Sequence, residues 1–210
     1  GSADARHESA FIEVGGLMYL LGGRGLDPVN IYDPNTNTWT DGATPPVEMH
    51  HLQPVEIDGL IYIIAGYSGS CCSSEFGLDH IYIYDPVADE WHEGAEIPEA
   101  RRRGSVGTVV YNDEIYIIGG LEGGHGAPAT SFSYFDKFDP TTNTWTILAD
   151  APRNRDHFSA VLINNKIYLA GGRHTDSAGF FNNTIPEVDV YDLIDETWST
   201  LPAGSNIPTE

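Results

Sequence analysis

Positive charge is scarce in this chain: ten Lys plus Arg stand against thirty-one Asp plus Glu in 210 residues, a formal net charge of −21. That balance excludes a general nucleic-acid binder, which needs a basic face to displace counterions. It favours solubility and suits a salty or extracellular setting. Long hydrophobic runs are missing too. The longest, LIYIIAGY and IYIIGG, fall far short of the roughly 18 apolar residues of a membrane-spanning helix, so no membrane span is expected. Only two cysteines occur, Cys71 and Cys72, adjacent in YSGSCCSSE. Neighbouring Cα atoms lie about 3.8 Å apart, below the usual disulfide span. Two ordinary loop thiols are therefore expected, with a vicinal disulfide or a metal pair as alternatives, and a disulfide framework is excluded.

What is present in quantity is repetition. Trp39, Trp91, Trp145 and Trp198 recur at intervals of 52, 54 and 53 residues, each six positions after an Asp (Asp33, Asp85, Asp139, Asp192). Each Asp follows an aromatic residue: Tyr32, Tyr84, Phe138 or Tyr191. A second anchor is a Tyr three residues before a small pair, as in Tyr19 before Gly22-Gly23 and Tyr116 before Gly119-Gly120. Each unit reads as four short strands, A to D. Gly15-Gly16, Asp58-Gly59, Asn112-Asp113 and Asn164-Asn165 join A to B, and all are residue types that tolerate the positive φ of a tight hairpin turn. Strand B, as in IYIIGG, is rich in Ile and Tyr and is expected to be buried on both faces. Asp-Pro turns such as DPNTNTW and DPTTNTW join C to D.

Four-stranded antiparallel units with a period near 50 are the signature of propeller blades. The double glycine, the Tyr-Asp pair and the Trp six positions on resemble the kelch repeat over nearly the whole chain. The expected fold is all-β: a kelch-type β-propeller, one domain over residues 1–210, with four-stranded antiparallel blades at about 6–41, 49–93, 103–148 and 156–201 and a linker at 202–210. Kelch-like propellers usually carry five to seven blades. The resemblance therefore implies a segment of a larger, about six-bladed ring that self-associates or associates with further blades; a closed four-bladed ring is the alternative.

In such blades the B-C loops and the linkers from D to the next A share one end. Eight of the ten basic residues fall there: Arg6, Arg101, Arg102, Arg103, Arg153 and Arg155 in D-A linkers or their equivalent, and Arg24 and Arg173 in B-C loops; Lys137 and Lys166 lie elsewhere. His7, His50, His51 and His157 flank the start of strand A, and His125 and His174 sit in B-C loops. Arginines converging from several blades would suit a carboxylate or sulfate. Arg6, Arg103 and Arg155, with Met49, occupy one recurring position nine residues before the A-B turn, which equally suits a structural tie between blades. The stretch Glu48-Met49-His50-His51 carries metal-ligand residue types, but neighbours on a strand point to opposite faces, so His50 and His51 reach one site only through a bend.

The expected ligand-binding residues are thus Arg6, Arg24, Glu48, His50, His51, Arg101, Arg102, Arg103, Arg153, Arg155, His157, Arg173 and His174, with no catalytic residue, metal or cofactor. The expected function is a non-catalytic binding or scaffold module for a protein, peptide or acidic carbohydrate. A distant resemblance to the galactose oxidase propeller implies no copper chemistry, because no matching Tyr, His and Cys set occurs. Similarity to kelch-like sialic acid mutarotases makes a carbohydrate-active enzyme the alternative, with Glu48, His50 and His157 as acid-base candidates. An extracellular or periplasmic setting is expected from the charge, with the cytoplasm as alternative.

Overall fold

A computed structural model of the chain describes residues 3, 5–70, 75–124, 129–176 and 183–208. Cys71, Cys72 and His125 lie outside them. The chain divides into two compact units, Gly1–Gly104 and Ser105–Glu210. In the first unit, β1 (Ser9–Val14), β2 (Leu17–Gly22), β3 (Asn30–Asp33) and β4 (Thr38–Asp41) form one antiparallel sheet in chain order. The second sheet follows with β5 (Val55–Ile57) and β6 (Leu60–Ile63), then the small hairpin β7 (Tyr67–Ser68) and β8 (Phe76–Gly77), then β9 (His80–Asp85) and β10 (Glu90–Glu96).

The second unit repeats the plan. Its first sheet is β11 (Gly107–Tyr111), β12 (Glu114–Ile118), β15 and β16, where β13 (Leu121–Glu122) and β14 (Thr130–Ser131) are a hairpin inserted before β15 (Phe135–Asp139) and β16 (Thr144–Ile147). Its second sheet is β17 (Ser159–Ile163), β18 (Lys166–Ala170), β19 (Asp189–Asp192) and β20 (Thr197–Thr200). These are four up-and-down blades. Two strand limits differ from expectation. The second blade's strand A starts only at Val55, after an extended lead-in, and its strand D runs on to Glu96 past a register shift between Glu93 and Glu96. Full burial of strand B holds for Ile61–Ile63 and Ile115–Ile118. By contrast, β2 and β18 bury alternate residues, as a sheet with one packed face does.

The six-residue Asp-Trp spacing has a direct cause. The aromatic before each Asp lies opposite the Trp across the C-D ladder, as in Tyr32 with Trp39 and Tyr191 with Trp198, with ring centroids 5.0 and 4.9 Å apart. Such cross-strand aromatic pairs contribute about 0.5–1.5 kcal/mol beyond their buried area. The Trp also reaches the preceding blade of its unit: Trp91 Nε1 donates to the Ala43 carbonyl and Trp198 Nε1 to that of Ala149. Between the second unit's blades, Ile118, Phe135, Ile167, Leu169 and Tyr191 form the buried core.

The Asp itself shapes the turn. Asp33, Asp85, Asp139 and Asp192 each accept the backbone N–H two residues on, at 2.8–2.9 Å. Four residues after each, Asn37, Asp89, Asn143 and Glu196 take positive φ. All four carboxyls are held below the ordinary Asp range, Asp33 chiefly by the Asn35 N–H, Asp85 by the Ala88 and Val87 N–H groups and Asp139 by the Thr142 hydroxyl. Asp192, paired first with Lys166 and then with the Ile194 and Asp195 N–H groups, is held down to about 2. Because the folded value lies below the unfolded one, its stabilisation is complete above about pH 4 and is lost as pH falls towards 2. An NMR titration of the Asp192 carboxyl carbon should show a midpoint near 2 that moves up towards 3.8 in Lys166→Ala. An unshifted midpoint in that variant would contradict this account.

Candidate functional site

The lead-in to each blade is built from three consecutive residues: Arg6-His7-Glu8, Met49-His50-His51, Arg103-Gly104-Ser105 and Arg155-Asp156-His157. The third of each set is left-handed, with φ of +60° (Glu8), +55° (His51), +57° (Ser105) and +53° (His157). All twelve non-glycine residues with positive φ among the described residues fall at this position, in an A-B turn or in a C-D turn. Outside turns such backbone costs about 1–3 kcal/mol and persists only where surrounding contacts enforce it.

The first residue of the set supplies those contacts. Its carbonyl accepts the N–H of the second small-pair glycine of the blade before: Gly23 to Met49, Gly66 to Arg103 and Gly120 to Arg155, at 2.8–3.0 Å. The approach leaves no room for a side chain, since a Cβ on Gly22 would lie 2.6 Å from the Met49 oxygen and one on Gly119 2.5 Å from the Arg155 oxygen. The Arg side chain then turns to its own blade. Arg6 donates to the Gly22 and Pro28 carbonyls and the Asn30 side chain; Arg155 does the same with Gly171, Glu187 and Asp189. Asn30 and Asp189 pass the contact on to Asp41 and Thr200 of strand D. Arg155 is thus a stitch between blades, with its main chain on one and its guanidinium on the next. In the second blade the position is Met49, fully buried.

The other expected site residues separate into two clusters and a rim. In the first unit, Arg24 is gripped by Glu8 and Glu75 and lies 3.3 Å from His50 Nε2 and from the Gly69 carbonyl. Burial opposes its charge, but the two carboxylates outweigh this and raise its pKa above the usual arginine value. Glu48 accepts the Gly25 N–H at 3.1 Å. His50 and His51 do enter one site: their Nδ1 atoms are 2.7 Å apart, because the left-handed His51 supplies the bend that a regular strand lacks. Burial holds His50 below its ordinary pKa and so neutral.

In the second unit, buried Asp156 accepts from His157 Nδ1 (2.5 Å), Ser131 Oγ (2.5 Å), the Thr175 N–H (3.1 Å) and Arg173 Nε (3.1 Å). Burial pushes its pKa up, and these hydrogen bonds outweigh it and hold it low. Ser105 Oγ lies 3.3 Å from His157 Nε2, so a Ser-His-Asp order is present. Ser105 is buried, however, and the Arg173 guanidinium lies 3.3 and 3.4 Å from the two ring nitrogens, which leaves the imidazole facing a donor in place of a substrate. His174 contributes its N–H to the Asn183 carbonyl. On the rim, Arg102 pairs with Glu96, Arg153 with Glu187 and Asp189, and Arg101 closes a 3-10 turn whose carbonyl accepts from Arg103.

The arginines therefore meet acids of their own unit: Arg24, Arg102, Arg153, Arg155 and Arg173 each sit on a carboxylate. Sequence reasoning missed Glu8, Glu75 and Ser131. Glu8 was recoverable from the repeat, since it shares a column with His51, Ser105 and His157. Glu75 and Ser131 sit in B-C loops that carry no repeat signal.

Repeated four-stranded antiparallel blades, each closed by the glycine N–H to lead-in carbonyl contact where it is described, define a kelch-type β-propeller. The chain belongs to the Attractin/LZTR1 β-propeller family, whose sequence profile matches residues 2–209. It is 31% identical to Kelch-like protein terF of Aspergillus terreus over 93% of this chain and 44% of that protein. It is 29% identical to human Kelch-like protein 23 over 89% of this chain and 32% of that protein. It thus spans less than half the length of these relatives. Among solved structures, that of YjhT superposes with a TM-score of 0.78 at 18% identity, covering 96% of this chain and 67% of that one, a likeness of fold.

The stitch makes a quantitative expectation. Arg155→Ala leaves Asp189 buried with only part of its pairing and should lower unfolding free energy by about 2–3 kcal/mol. Arg153→Ser, which removes a partly exposed pair to the same carboxylate, should cost less than about 1 kcal/mol. Urea denaturation of both variants checks the ranking, and equal losses would remove the distinction.

Proposed function

We propose that this chain is a binding module that recognises a protein or peptide through its B-C and D-A loops. Membership of a kelch-type family supports the general reading, and one feature of the first unit supports the choice of face. A cleft of about 330 Å³ is lined by Val47, Ser68, Phe76, Gly77, Leu78, Asp79, Tyr82 and Arg102, all from the B-C loop, the D-A linkers and the adjoining end of strand C. Phe76, at its edge, is 67% exposed, unusual for a large aromatic on an ordered strand. Among the described residues the Arg102 side chain donates to solvent-facing Glu96 and to the Ile97 carbonyl. An exposed pair of this kind is worth about 0–1 kcal/mol, so a ligand carboxylate exchanges for Glu96 at little cost.

An apolar anchor beside an acidic group on the ligand matches Phe76 beside Arg102, the pairing typical of binding hot spots. An acidic glycan offers the carboxylate without the anchor and ranks second. A larger cleft at the opposite end of the same blades carries Glu13 and Glu56, but both accept turn N–H groups, from Gly16 and Gly59, and no cation lines it. Among the described residues no helix is long and apolar enough to cross a membrane. The extracellular or periplasmic setting expected from the charge gains no support from the relatives, and the proposal holds in either compartment.

The test is an array of acidic and neutral peptides with apolar anchors, together with sialylated glycans, read at low and moderate salt. Acidic peptides should bind best, and Phe76→Ala and Arg102→Ser should each weaken them about tenfold with unchanged melting temperature. Val87→Ser at the far end should change nothing. Loss of binding only in the last variant would move the site to the other face. Acceleration of sialic acid anomer exchange by the protein would favour the enzyme reading.

A further inference from the structure

We infer that Glu8, His50 and His51 form a binding site for a divalent transition metal ion, zinc foremost. One ligand atom from each lies within 4.8 Å of the others. His51 Nδ1 is 3.4 Å and His50 Nδ1 3.8 Å from Glu8 Oε2, and the two Nδ1 atoms are 2.7 Å apart. Zinc binds imidazole nitrogen and carboxylate oxygen at about 2.0–2.2 Å, which sets neighbouring ligands about 3.0–3.5 Å apart. Two edges of the triangle already meet this within a few tenths of an ångström, and the nitrogen-nitrogen edge has to open by about half an ångström.

The surroundings prepare the donors. His50 Nε2 lies 3.1 Å from the Gly69 carbonyl. A carbonyl can only accept, and at 3.1 Å it is nearer than the donating Arg24 guanidinium at 3.3 Å, which favours the tautomer with the hydrogen on Nε2 and the lone pair on Nδ1, facing the cluster. A second-shell carbonyl of this kind is what fixes the tautomer of metal-bound histidines. Glu8 is oriented by Arg24, which Glu75 holds from the other side. A carboxylate has lone pairs enough to face a guanidinium and an ion together.

The backbone argues in the same direction. A left-handed histidine is uncommon, and only that conformation at His51 lets two consecutive imidazoles converge. Glu8 and Glu75 set against Arg24 leave one net negative charge beside the two imidazoles, and an incoming dication sends the proton held between the Nδ1 atoms to His51 Nε2 or to solvent. His50 and His51 are closed off and Glu8 is about a quarter exposed. The ion would thus be reached from the Glu8 side and retain water there, as in three-ligand zinc sites. Two nitrogens and one carboxylate select against calcium and magnesium, which prefer oxygen throughout.

The test uses the full chain, stripped with a chelator and titrated with zinc chloride by calorimetry, with cobalt(II) as a visible-absorbing substitute. Expected is one ion per chain, a raised melting temperature with zinc and none of this with calcium. Glu8→Gln and His51→Asn should each lose at least about tenfold in affinity; Asn is chosen because it tolerates the left-handed backbone. His7→Ala, an exposed neighbour, and the Cys71→Ser, Cys72→Ser double variant should bind as the parent does. Circular dichroism establishes that the variants fold, and Glu8→Gln decides the matter should His51→Asn not. Absence of stoichiometric binding overturns the inference. So does binding indifferent to Glu8→Gln, or binding abolished by removing the thiols.

Discussion

The architecture depends on one close approach, the N–H of the second small-pair glycine against the carbonyl of the following lead-in, at 2.8–3.0 Å in Gly23-Met49, Gly66-Arg103 and Gly120-Arg155. In two blades the approach leaves the first residue, Gly22 or Gly119, no room for a Cβ, whereas Ala65 fits in the second; the second residue, Gly23, Gly66 or Gly120, takes positive φ in all three. With the Arg155 carbonyl so fixed, its side chain turns into its own blade, where Asp189 at the start of strand C receives it. Blade spacing, lead-in path and the left-handed third residue follow from that contact.

The lead-in also explains where the scarce positive charge goes. In a chain of net charge −21, arginines gathered at one end of the blades look like a surface made for anions. In place they face Glu8, Glu75, Glu96, Asp156, Glu187 and Asp189. A guanidinium beside a buried carboxylate lowers the cost of burying either, and it leaves little field for a distant ligand. Glu13 and Glu56 beside A-B turns and Asp33, Asp85, Asp139 and Asp192 at C-D turns are likewise local devices that accept turn N–H groups. Net charge therefore says less about binding here than which pairs are held from both sides and which, like Arg102 with Glu96, face water.

The left-handed column is where structure and chemistry meet. The same backbone geometry carries a glutamate, a histidine, a serine and a histidine in Glu8, His51, Ser105 and His157, so one structural position is reused with four side chains. In the first unit this brings a carboxylate and two imidazoles together. In the second it seats His157 on Asp156.

The sequence by itself determined the four repeats, their strand order, the turn residues and the position of the recurring arginine. These rest on local rules: glycine and asparagine at positive φ, Asp capping its own turn, an aromatic facing a Trp across two strands. It also placed Arg24, His50, His51, His157 and Arg173 at the same end of their blades. Only the tertiary structure decided what those side chains meet. His50 and His51 share a site because His51 leaves the strand conformation, and no alternation rule contains that bend. Glu75 and Ser131 join their clusters from loops whose lengths and residues do not repeat, 51 positions after Arg24 and 25 before Asp156. Contacts that close across such separations are set by how blades and loops pack, which no local pattern of residues encodes.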